Sequence, residues 1–164
     1  MIAHLTGSLR QQALTASHNE VRTTALVGMA RKLAGAADAM QVSVIARDFV
    51  SQATDGRAVI FVRGVDGQPH AVAGEGSPAA TRSDAPIVDL VMSGGEYVEL
   101  DFNAYVPLVT SSGVHGALAV SFDVANAADM HEPRELLIAV ALLIAIVIDR
   151  IQMAAAQGRR EILE

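Results

Sequence analysis

Leu136 to Ile148 is a run of thirteen residues without one polar side chain, closed by Asp149-Arg150. Ten of the thirteen are large aliphatics, and they point all the way round a helix. Thirteen helical residues cover about 20 Å, whereas a membrane span needs roughly 20 apolar residues. The run therefore reads as a buried helix, starting near Pro133 and reaching about Gln157. Packing on a sheet covers one stripe of such a helix. If about five side chains stayed bare at ~2 kcal/mol each, the forgone burial would be on the order of 10 kcal/mol. A second surface must cover them, either the chain's own first helix or a second copy of the chain.

Composition narrows the function. Hydrophobic residues make up 51% of the 164 positions, enough for a core and too many for a disordered chain. The net charge of −6, without basic clusters, argues against nucleic acid as a partner. The chain has no cysteine, which excludes disulfides, thiolate metal sites and cysteine nucleophiles. The N-terminus lacks the basic flank and apolar core of a signal peptide. Both ends read as interrupted helices, so the sequence is expected to be a piece of a longer protein.

The remaining elements follow from periodicity. Ile2 to Leu33 contains no proline. Its positions 5, 9, 12, 16, 19, 23, 26, 30 and 33 form a seam in steps of four and three, apolar at the ends and polar in the middle. Val42, Ile45, Ala46, Phe49, Val50 and Ala53 mark one face of a second helix, with Asp38 as its N-cap and Asp55-Gly56 as its end. Arg57 to Val62 is β-branched and aromatic, like a central strand. Asp66-Gly67 then turns it into a returning strand over Pro69 to Ala73. A short helix spans Asp84 to Met92, with Pro86 in its first turn and Gly94-Gly95 after it. Three strands follow, over Glu96 to Leu100, Ala104 to Thr110 and Val114 to Asp123. In the last, alternation puts Leu118 and Val120 on one face and His115, Ala117 and Ala119 on the other, where small side chains let a helix lie close.

No constellation of catalytic residues emerges. His4, His18, His70, His115 and His131 show no metal-ligand spacing, so no metal is expected, and His115 reads as a packed or hydrogen-bonded sheet residue. Ser111 and Ser112 lie in a hairpin turn without a nucleophile elbow. Gly74-Glu75-Gly76 lacks the helix cap and lysine of a phosphate loop, and Glu96 and Glu99 read as solvated edge residues. No catalytic residue and no cofactor are assigned.

The order of elements, together with Ala104 to Phe122, resembles a GAF domain. Pro107-Leu108 and Gly116-Ala117-Leu118 stand where that family has its central strand pair. Leu9 to Ala36, in particular Arg22 to Leu26 and Ala30 to Ala34, is similar to the stretch before the GAF domain of KdpD-type, potassium-responsive sensor histidine kinases. The resemblance implies an α+β fold: an antiparallel sheet of five or six strands with the N- and C-terminal helices packed on one face. It divides the chain into an N-terminal signalling helix (1–36), a core (37–131) and a C-terminal helix (132–164) leading toward a kinase core. It implies a non-catalytic regulatory module, a cytoplasmic domain of an inner-membrane two-component sensor kinase that works as a homodimer. Partners are then a second copy and the parent's membrane and kinase domains. The predicted dimer face is Leu5, Leu9, Leu26, Leu136, Leu143, Val147 and Ile151. The alternative is an effector-binding domain, whose family pocket would draw on Arg82, Asp84, Tyr97, Asp101, Asn103 and Tyr105. A stand-alone enzyme of this family, such as a methionine sulfoxide reductase, needs thiols that the chain lacks.

Overall fold

The structure is a computed structural model that describes residues 20–72, 85–123 and 131–163. Helix α1 covers residues 20–34, and α2 is Ala39–Thr54. The hairpin β1 (Arg57–Arg63) and β2 (Pro69–Ala71) comes next, then α3 (Ala85–Gly94). Strands β3 (Val98–Leu100), β4 (Asn103–Thr110) and β5 (Gly113–Ser121) lead to α4 (His131–Leu163). The five strands form one open antiparallel sheet in the order β2-β1-β5-β4-β3. This is the α+β class that the sequence implies.

Local chemistry explains the boundaries. Asp38 caps α2: its Oδ1 accepts the Gln41 N–H at 2.9 Å, while Gln41 Oε1 accepts the Ala37 N–H at 2.8 Å. At the end of α3 the Gly95 N–H donates to the Val91 carbonyl at 2.8 Å, with Gly95 at φ 67°. Gly67, at φ 76°, closes the β1–β2 turn that Asp66-Gly67 announces. The β3–β4 turn carries no such signal, yet Asp101 and Phe102 both take positive φ, 47° and 64°. Pro107 is tolerated within β4 because β3 pairs only with residues 103–105, so the outer side of β4 is bare at that point.

Two cores flank the sheet. Ala58, Ile60, Ala104, Val106, Leu108, Leu118 and Val120 face the larger one, which is filled by α1, α2 and α4. All three parts of the chain meet there: Met29 and Leu33 from the first, Val42 and Val50 from the second, Leu137 and Ile144 from the third. On the opposite face Phe61, Tyr105, Ala117 and Ala119 pack against Val88, Val91 and Met92 of α3. The alanines of β5 thus admit a helix, as their size suggests.

By length and composition alone, Pro133–Arg159 could cross a membrane. In this fold, however, Leu136, Leu137, Val140, Ala141, Ile144, Ala145, Val147 and Ile148 are buried in the domain's own core. The exposed large side chains on α4 are Ile138, Leu142, Ile146 and Met153, between 44% and 59% exposed. They are spaced four, four and seven residues apart, which aligns them along one stripe.

Candidate functional site

The residues that the family pocket would use are not gathered into one place. Arg82 and Asp84 lie outside the described residues. Tyr97 leans on the larger core and Tyr105 belongs to the smaller one, so the sheet separates the two rings. Tyr105 is buried in the core beneath α3. Asp101 and Asn103 build the β3–β4 turn, where Asn103 Nδ2 donates to the Asp101 carbonyl at 3.2 Å. The Tyr97 hydroxyl donates to Glu99 Oε1 at 2.7 Å, and the Arg134 guanidinium sits 4.8 Å from the ring centroid. Burial, reinforced by the Glu99 carboxylate, holds the Tyr97 phenol well above its ordinary range.

The residues of the dimer face drawn from sequence are spread between the core and its edge. Leu5 and Leu9 lie outside the described residues. Leu136 and Val147 are buried in the domain's own core, and Leu26, Leu143 and Ile151 pack against it. A helix that is apolar all round carries no phase of its own; the sheet sets it. The outward stripe is therefore Ile138, Leu142, Ile146 and Met153. Val21 and Val27 are exposed on α1.

A groove of about 510 Å³ runs between α1 and α2 and ends at Leu136. Ala25, Met29, Ile45 and Phe49 give it apolar walls, and Arg22, Lys32 and Asp48 supply charge. Its volume lies within the usual range for small-molecule sites. None of the described residues named from the family pocket lines it.

A polar cluster ties the β4–β5 hairpin to α4. His115 Nε2 is 2.6 Å from Thr110 Oγ1 and 3.2 Å from Ser112 Oγ. Ser112 Oγ donates to Asp149 Oδ2 at 3.0 Å, and His115 Nδ1 lies 3.2 Å from Gln152 Oε1. Strict alternation would point His115 at α3. The register shows why it does not: Leu108 pairs with Gly116 and Val109 with Val114, so His115 is the extra residue of a bulge. The bulge re-aims its ring toward α4.

Serine, histidine and aspartate are the residue types of a hydrolase triad, but the connectivity is different. In a triad the carboxylate holds Nδ1 of the imidazole. Here Nδ1 meets Gln152, and Asp149 lies on the Nε2 side at 3.6 Å. The cluster is a structural tie. Among the described residues, no group of three or more His, Cys, Asp or Glu side chains gathers as a metal site.

No family model matches the chain, and no curated protein matches it. Solved structures do. The GAF domain of the potassium sensor histidine kinase KdpD from Escherichia coli is 17% identical over 82% of this chain and 98% of that one, with a TM-score of 0.71. The GAF domain of a phosphoenolpyruvate-protein phosphotransferase from Coxiella burnetii is 13% identical over 82% and 96%, with a TM-score of 0.65. That of an Acinetobacter phosphoenolpyruvate-protein phosphotransferase is 15% identical over 81% and 95%, with a TM-score of 0.59. The open antiparallel sheet between α3 and the three other helices is therefore the fold of a GAF domain.

Proposed function

We propose that this chain is a non-catalytic regulatory module of a sensor protein, and that it relays signals as a homodimer through α4. The carrying observation is the outward stripe of Ile138, Leu142, Ile146 and Met153 on a helix whose other faces are already packed. Covering the bare half of these four side chains in two protomers contributes on the order of 8 kcal/mol. Association costs roughly 4–15 kcal/mol. The stripe alone therefore gives a weak, concentration-dependent dimer, and Val21 and Val27 are exposed apolar side chains on α1 that could add to it. A two-state rearrangement of such a bundle is the means of transmission. The parent we infer is a membrane-bound two-component sensor histidine kinase of the potassium-responsive type, with this module on the cytoplasmic side. The resemblance at Arg22 to Ala34 and the likeness to the Escherichia coli KdpD domain support that parent. Light scattering across a concentration series tests the dimer: the mass is expected to rise toward twice 17.1 kDa. A constant monomer mass contradicts the relay.

The groove between α1 and α2 favours a second reading, an effector-binding module whose ligand wedges these helices. A thermal-shift screen with nucleotides, amino acids and monovalent cations separates the two. A dose-dependent rise in melting temperature supports the effector reading, and a flat response leaves the relay.

A further inference from the structure

Burial against the sheet sets the face that α4 turns inward, but an all-round apolar helix has no polar stripe to fix that rotation sharply. Directional bonds near its C-terminal end sharpen it, and one cluster gathers five side chains. Thr110 and Ser112 of the β4–β5 hairpin and His115 of the bulge meet Asp149 and Gln152 of α4. The side chains from Gln152 to Gln157 are exposed, so the cluster lies where α4 leaves the domain. Arg150 holds the neighbouring flank, its guanidinium donating to the carbonyls of Ala34 and Ala36 at 3.3 and 3.0 Å.

We propose that these five side chains form a polar latch that locks the rotation the sheet gives α4 and fixes the point at which its last turns come free. One hydrogen arrangement satisfies the whole cluster. The Nδ1–H of neutral His115 donates to Gln152 Oε1, Thr110 donates its hydroxyl to Nε2, and Ser112 donates its hydroxyl to Asp149. The Ser112 N–H donates to Thr110 Oγ1 at 3.3 Å. The side chains of His115 and Asp149 are only 10% and 22% exposed, so removing a partner of either leaves it with little water to take the partner's place. Displacement of the hairpin is thereby converted into release or rotation of α4. The latch is a property of one protomer and stands whether or not the chain dimerises.

The chain has no cysteine, so single thiols report on it cleanly. Val147→Cys places a reporter on the core side of α4, within a turn of Asp149 in sequence, and Val88→Cys places one under α3 in the other core. Thiol-labelling rates are measured in the full 164-residue chain. Thr110→Val, which keeps shape and loses the hydroxyl, and Asp149→Ala should each speed labelling at the Val147 position by about tenfold. Labelling at the Val88 position should not change, and Thr110→Ser should stay slow at both. Unchanged rates in both latch variants overturn the proposal. Equal acceleration at the two reporters also overturns it, because the cluster then contributes only to global stability.

Discussion

At the scale of single residues, the sheet punishes small additions where backbones touch and tolerates them elsewhere. A Cβ on Gly116 would run into the Phe61 carbonyl oxygen of the adjacent strand, whereas one on Gly28 meets nothing within 4 Å. Gly116→Ala should therefore cost roughly 2 kcal/mol. Gly28→Ala, in the interior of α1, should add about 0.5–1 kcal/mol. Urea midpoints of the two variants check both signs. Tyr97 makes a third residue-scale prediction. Its raised pKa means that the folded chain favours the neutral phenol, so the bond to Glu99 is present below the ordinary phenol range near ~10 and is lost as pH climbs through the higher folded value. In a Tyr105→Phe background, the phenolate absorbance should appear at higher pH in the folded chain than in urea; coincident curves would contradict this. The sequence predicted Gly67 and Gly95 through their turns. It ended one strand at Leu100 and began the next at Ala104, but it did not assign the positive φ of Asp101 and Phe102 between them, the latter on a residue type that rarely adopts it.

At the scale of elements, the succession of helices and strands along the chain and the hairpin turns were readable because each rests on local periodicity and turn chemistry. Three features were not. His115 is the hydrogen-bonded sheet residue that the sequence suggests, but the face it turns to escaped, because a bulge breaks alternation. The family resemblance places Tyr97 and Tyr105 in one pocket, whereas the sheet holds their rings on opposite sides, which depends on register. The phase of α4 escaped because no polar stripe marks it. That phase has a testable consequence. Ile144 is fully buried, whereas Ile146, two residues on, is 54% exposed. Ile144→Ala should lower stability by about 2–5 kcal/mol. Ile146→Ala should change the stability of the monomer by no more than about 1 kcal/mol. Chemical denaturation at low protein concentration checks the difference, and equal losses would mean that α4 is rotated from the orientation described.

At the scale of the molecule, one sheet separates a small core under α3 from a large one that unites α1, α2 and α4. The sequence anticipated that α4 holds more apolar surface than one domain can cover, and the described residues show which part is left over. The parent protein and the signal are legible only by resemblance, since neither depends on how these residues pack. The account turns on what covers the stripe of Ile138, Leu142, Ile146 and Met153. Sedimentation equilibrium of the native chain and of a Leu142→Glu/Ile146→Glu variant tests it directly. The account predicts reversible dimerisation of the native chain, and a folded, monomeric variant with an unchanged circular dichroism spectrum. A native chain that stays monomeric up to millimolar concentration, or a variant that dimerises as well as the native chain, would contradict it.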